Sequence, residues 1–195
     1  MNAIKIVIFV ILSALLTACA GINFVRPSDN TFKLGKTTKQ EVINAMGKPM
    51  VTSQALKNDV PVETIAYSYA AGAQSLVGGV TTARSTAFSF ANGILVGQIF
   101  SSSFAEDKTD FDETKVSDLR KGKTTKDEVI KLLGRPSGHF IYPLIAPKDG
   151  TGLVYQYNQT KGTAFTLKLY AASLVVTVGK DNVVTDVTLE KTGEK

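Results

Sequence analysis

The side chains able to do chemistry are few. Of 195 residues one is cysteine, Cys19, one is histidine, His139, and none is tryptophan. A Cys/His zinc centre, a His-rich metal site and an internal disulfide are therefore excluded. His139 falls in Ser137-Gly138-His139-Phe140, a surface or packing position at the start of a strand. No Ser/His/Asp order or Cys/His pair assembles around it. Asp181 and Asp186 read as a turn residue and a strand residue rather than an acid/base pair. The expectation is a protein without enzymatic activity, cofactor, metal or small-molecule substrate. Two recurring groups remain. Lys36-Thr37-Thr38-Lys39 and Lys123-Thr124-Thr125-Lys126 place a basic pair at a helix start. N–H groups and ammonium groups could converge there on a phosphate or lipid headgroup. Equally, the Thr caps the helix and the lysines are solvated; the glycine frame of a Walker A loop is missing. Tyr67 and Tyr69, and Tyr155 and Tyr157, lie two apart. Each pair shares one strand face, which is either packed under helices or an aromatic recognition surface.

Cys19 has a specific context. Residues 1–20 read MNAIKIVIFVILSALLTACA. Lys5 supplies a positive start, and Ile6 to Leu16 form an apolar run of eleven residues. That is too short for a bilayer core, which takes about 20 residues, and fits the h-region of a secretory signal. Leu16-Thr17-Ala18-Cys19 resembles the lipobox of bacterial lipoproteins. The resemblance implies that residues 1–18 are removed and that Cys19 becomes the acylated first residue. Three acyl chains exceed the two-signal threshold for stable anchoring. Ala20 follows rather than Asp, which by resemblance to Gram-negative sorting rules favours the outer membrane, facing the periplasm. In a Gram-positive cell the same box would anchor to the cytoplasmic membrane. Maturation removes Lys5 and no acid, so the formal charge falls from +5 to +4.

The elements that must position these groups come in duplicate. FKLGKTTKQEVINAMGKP (32–49) and LRKGKTTKDEVIKLLGRP (119–136) agree at ten of eighteen positions, 87 residues apart. The pattern continues with Ile65 to Tyr69 against Leu153 to Tyr157, and Phe88-Ser89-Phe90 against Val176-Thr177-Val178, at offset 88. Thr38 with Glu41, and Thr125 with Glu128, are capping boxes. Val42, Ile43, Met46 and Val129, Ile130, Leu133 are apolar stripes. Gly47 and Gly134 stop the helices, and Pro49 and Pro136 prevent resumption. A further helical turn is expected before each box, near 28–34 and 115–121. Period-two strands follow, with hairpins at Asn92-Gly93 and Lys180-Asp181-Asn182. The fold class predicted is α+β: two tandem repeats, each two short helices followed by a three- to four-stranded antiparallel sheet. The domains expected are a signal peptide (1–18), a lipidated tether (19–27), repeat one (28–105), an acidic linker (106–114) and repeat two (115–195).

A Gly-x-x-Thr-x-x-Glu-Val start, a Gly-x-Pro end, a Tyr-x-Tyr strand and a lipobox together resemble the BamE (SmpA/OmlA) family of outer-membrane lipoproteins. Gly35, Thr38, Glu41, Val42, Gly47 and Pro49 carry the likeness in the first copy, and Gly122, Thr125, Glu128, Val129, Gly134 and Pro136 in the second. That family has one unit; the tandem arrangement is similar to the β-lactamase inhibitor protein, whose two units align strands into one concave sheet. The resemblance implies a scaffold or modulator in an envelope complex, in outer-membrane protein assembly or envelope integrity, with the β-barrel assembly machine as a partner. The alternative is a periplasmic inhibitor module that binds a hydrolase. Candidate interaction residues are Tyr67, Tyr69, Tyr155, Tyr157, Lys36, Lys39, Lys123 and Lys126.

Two stretches stand apart. Residues 64–105 hold one charge, Arg84, and the segment 70–80 reads AAGAQSLVGGV. It is either a Gly-rich connection between paired strands or a weakly apolar loop that meets a partner or membrane. Gly162 to Tyr170 alternates Phe165, Leu167 and Leu169 as a strand would. Residues 106–118 hold six acids and two lysines, as expected of a solvated connector. The formal charge is +3 over 20–105 and +1 over 106–195, which with export argues against a nucleic-acid partner.

Overall fold

Thr38 and Thr125 each cap an eight-residue α-helix, α1 (Lys39–Met46) and α2 (Lys126–Leu133). In both boxes the Thr hydroxyl accepts from the Glu N–H at 3.3 Å, and the Glu carboxylate accepts from the Thr N–H at 2.7 and 2.8 Å. The helices end at Gly47 and Gly134, both at φ 83°, where an L side chain is strained. Thr37 and Thr124 are structural too: each hydroxyl accepts a backbone N–H, from Lys33 and Arg120, at 2.8 Å.

The computed structural model describes residues 21–71, 76–77, 79–162 and 166–195. The expected signal sequence and lipobox, with Cys19, lie outside these residues, as do Phe165 and part of the Gly/Ala-rich segment. Ten strands follow in chain order: β1 (Val51–Lys57), β2 (Val60–Ala70), β3 (Leu76–Val77), β4 (Val80–Thr81), β5 (Ala83–Ala91), β6 (Ile94–Ser102), β7 (Gly138–Phe140), β8 (Thr151–Lys161), β9 (Lys168–Val178) and β10 (Val184–Gly193). All pairings are antiparallel, in one sheet. The backbone runs β1-β2-β5-β6-β7-β8-β9-β10, with β4 laid against the far end of β8 at Val80↔Lys161 and β3 outside it.

The expected fold class is corrected by this architecture. The protein is mostly a curled antiparallel sheet, not an α+β fold with two helices per repeat. Each copy keeps one α-helix, of two turns. Residues 28–34 form turns (Thr31 N–H to Ser28 O at 2.9 Å) and stop at Gly35, φ 73°. Ser28, Asp29 and Asn30 favour local side-chain bonds over helix nucleation. In the second copy the extra element is a six-residue 3₁₀ turn, Glu113–Asp118, capped by Asp112. Leu167 precedes β9 rather than lying in it.

Each helix covers its own core on one face of the sheet. Phe32, Val42, Ile65, Tyr67, Phe88, Phe90 and Leu95 are buried together under α1. Leu119, Val129, Leu153, Tyr155, Val176, Val178 and Val184 are their counterparts under α2. Both helix starts are tied to the last strand of their copy, by bridges Thr38↔Ile94 and Thr125↔Val183.

The copies fuse at β7, the counterpart of β1, which inserts between β6 and β8. Glycines permit it. A Cβ on Gly138 would collide with the Gln98 carbonyl, and one on Gly97 with the side chains of Leu144 and Phe140. Val51 stands where the second copy has Gly138, and β1 is an exposed edge along its whole length. Gly138→Ala should therefore unfold at lower urea, with a loss of about 3 kcal/mol from overpacking. Gly47→Ala, whose Cβ meets nothing within 4 Å, should lose only about 1 kcal/mol from its positive φ.

Candidate interaction surface

The tyrosines lie on the helix-covered face. Tyr67 and Tyr155 are buried, and their hydroxyls donate to the helix-stopping carbonyls of Gly47 (2.8 Å) and Gly134 (3.1 Å). Burial raises both phenol pKa values. Tyr157 is buried with its hydroxyl on Gln159 Oε1 at 3.1 Å. Tyr69 is half-buried and stacks on Phe104 at 6.0 Å. Of the two faces left open by their spacing, the packed one holds them.

The lysines lie elsewhere. The strands alternate in direction, so the sheet has two rims. One carries the turns Asn58-Asp59, Asn92-Gly93 and Asp181-Asn182 and both helix starts. Lys36 and Lys123 are exposed on this turn rim. Lys39 is drawn onto Glu63 at 2.6 Å, and Lys126 is half-buried, close enough to His139 to oppose its protonation. Lys36 and Lys123 alone of the eight candidates are both exposed and charged.

The other rim receives the N-terminal segment, which packs onto the body. Gly21 runs so close to β2 that a Cβ would collide with the Ser68 carbonyl. Phe24 meets Phe100 edge-on at 6.4 Å, and Arg26 lies 5.4 Å over the same ring while donating to the Pro136 carbonyl at 2.7 Å. Asp29 accepts from Arg135 at 2.8 Å. The tether expected over 19–27 is thus held from Gly21 onward across both copies.

Arg84 organises this region, and only its isolation as a charge marked it in the sequence. Its side chain is 7% exposed and packs 4.2 Å over Phe104. It donates to the Phe24 carbonyl at 3.0 Å and to Glu106 at 2.8 Å, with Asp107 at 3.4 Å. Among the described residues its Nε–H is the one buried side-chain donor without a partner. The acidic connector is therefore built in rather than merely solvated: Asp107 also accepts from Ser102, and Thr109 donates to the Gln156 carbonyl at 2.7 Å.

His139 is half-buried in β7, beside a cavity of about 20 Å³ lined also by Arg26, Asp29, Gln98 and Ser137, room for a single water. Ser137 Oγ is engaged by the Gln156 backbone, accepting its N–H at 2.9 Å, so it is not a free nucleophile. Burial, then Lys126, Arg26 and Arg135, push the imidazole pKa down, and Asp29 opposes them. A second cavity of about 150 Å³ opens at the seam of β6 and β8, lined by Ser68, Ser85, Ser101, Ser103, Asn158 and Thr160 among others. Among the described residues no cluster of His, Cys, Asp and Glu could hold a metal, and no helix is long and apolar enough to cross a membrane. Compared with family models, with curated proteins and with solved structures, the chain matches none.

Two outcomes follow from these contacts. His139 is harder to protonate folded than unfolded, so below its ordinary pKa of about 6.5 the unfolded chain binds more protons and stability falls with pH. The melting temperature should drop between pH 7.5 and 5.5, and His139→Gln should flatten that slope. Arg84→Leu should cost about 2 kcal/mol, because it removes the buried guanidinium's hydrogen bonds to the Phe24 carbonyl and to the exposed Glu106, and limited proteolysis should then cut near residues 21–29 faster than in the parent.

Proposed function

We propose that the protein is a lipid-anchored envelope lipoprotein, non-enzymatic, that serves as a scaffold or modulator in a membrane-associated complex, with outer-membrane protein assembly as its setting. The observation that carries this reading is Cys19, the sole cysteine, placed at the end of an eleven-residue apolar run in Leu-Thr-Ala-Cys. The packing of residues 21–29 supports it: a free tether would not need Phe24, Arg26 and Asp29 fastened to both copies. The exposed Lys36 and Lys123 on the turn rim suit an acidic partner surface.

Labelled palmitate should enter the wild-type chain and not Cys19→Ala; equal entry into both, or none into either, would contradict the anchor. Photo-crosslinkers placed at Lys36 and Lys123 should capture assembly-machine subunits from intact envelopes, whereas capture of a hydrolase would favour an inhibitor.

A further inference from the structure

If Cys19 is the acylated first residue, only Cys19 and Ala20 separate the lipid from Gly21. Two residues reach about 7 Å at most. Gly21 lies against the body: a Cβ there would collide with the Ser68 carbonyl and stand 3.4 Å from Met50 Sδ. The anchor therefore brings one particular rim of the sheet to the bilayer: the rim formed by the ends of β2, β6, β8 and β10 and the starts of β1, β5 and β9.

That rim has the side chains for such a surface. Ile22 is 88% exposed and Met50 51%, beside the anchor; Leu167 is 57% and Leu169 60% exposed, at the start of β9. These are four of the seven large apolar side chains exposed in the described structure. Lys161 and Lys168 stand directly opposite each other across β8 and β9, both exposed. Like charges in such register destabilise a sheet, and an anionic headgroup layer removes that cost. The acids of the connector on this side are already paired: Glu106 and Asp107 with Arg84, Asp110 with Lys108 and Lys195, and Glu113 with Lys191.

We infer that this anchor-side rim lies on the bilayer, with Ile22, Met50, Leu167 and Leu169 in the headgroup–acyl boundary and Lys161 and Lys168 at the phosphate level. The strands then stand up from the membrane. Lys36 and Lys123, on the turn rim, point away from it, which makes them a surface for a protein rather than for the lipids of the anchoring membrane. The inference rests on the lipoprotein reading and goes beyond it in assigning the membrane-facing surface.

The test uses the acylated full-length protein, reconstituted in phosphatidylethanolamine/phosphatidylglycerol vesicles containing brominated lipid. A fluorophore is attached at Leu169→Cys or, on the turn rim, at Lys180→Cys. The eleven residues of β9 separate the two rims by about 35 Å. Quenching should be at least roughly threefold stronger at position 169 than at 180. A label at Lys161→Cys should be quenched as well, and replacing both Leu167 and Met50 by Glu should weaken that quenching while the protein still floats with the vesicles. Flotation with equal quenching at 169 and 180, or with quenching at 180 alone, overturns the rim assignment and leaves the anchor standing. Absence of flotation in every variant overturns the anchor and the rim assignment together.

Discussion

The structure depends on one close approach, that of β7 to β6 at Gly138 and Gly97. Each copy alone is a small helix-covered sheet with two edges, and unpaired edges cost specificity and invite misassociation. Joining the copies needs the first strand of one to lie against the last strand of the other. The Gln98 carbonyl passes where a Gly138 Cβ would be, and Leu144 and Phe140 fill the space a Gly97 side chain would take. The same two positions at the outer ends of the sheet hold Val51 in β1 and Asp186 in β10, the latter bound to Lys121. The joint between copies can therefore form once, inside the chain, and does not propagate from one molecule to the next in the same geometry.

A second coupling works within each copy and ties helix to sheet. The capping Thr starts the helix and bridges the last strand, the Gly stops it, and the freed Gly carbonyl accepts a hydroxyl from a buried Tyr on a central strand. Each hydrogen bond of this kind contributes about 1 kcal/mol. Their larger effect is geometric: a helix of only two turns has little stability of its own, and these fixed points hold it over its core. The duplicated Lys-Thr-Thr-Lys motif owes its Thr pair to this architecture. Its outer lysines, Lys36 and Lys123, have no such structural duty, and they remain the residues of the motif available to a partner.

The two rims of the sheet differ in kind. One gathers tight turns, helix starts and the exposed Lys36 and Lys123. The other gathers the incoming N-terminal segment, the Arg84 cluster and most of the exposed apolar side chains. Arg84 links three parts of the chain through the Phe24 carbonyl, Phe104 and the Glu106/Asp107 pair, so the segment leading to Cys19 and the connector between copies are fixed to the same point. A membrane anchor on such a segment constrains the orientation of the whole body.

Local chemistry was legible without coordinates. The capping boxes, the helix stops at Gly47 and Gly134, the hairpin at Asn92-Gly93 and the duplication follow from residue spacing, because each depends on atoms within a few residues. The expected second helix of each copy failed for a local reason too: turn-forming residues and Gly35 or Gly122 compete with nucleation in so short a segment. Which face of the tyrosine strands was buried could not be read, since period two is symmetric between faces until the helices are placed. Nor could the sequence show that the acidic connector and the N-terminal segment converge on Arg84, that Gly138 admits β6, or that the lysine motifs and the N-terminal segment from Gly21 lie at opposite rims. These are contacts between residues from 22 to 110 positions apart, and only the closing of the sheet brings them together. The residue types and their spacing thus determined the repeating unit and marked the lone cysteine; tertiary structure decided which side chains were left exposed, because burial belongs to the assembled sheet and not to any single strand.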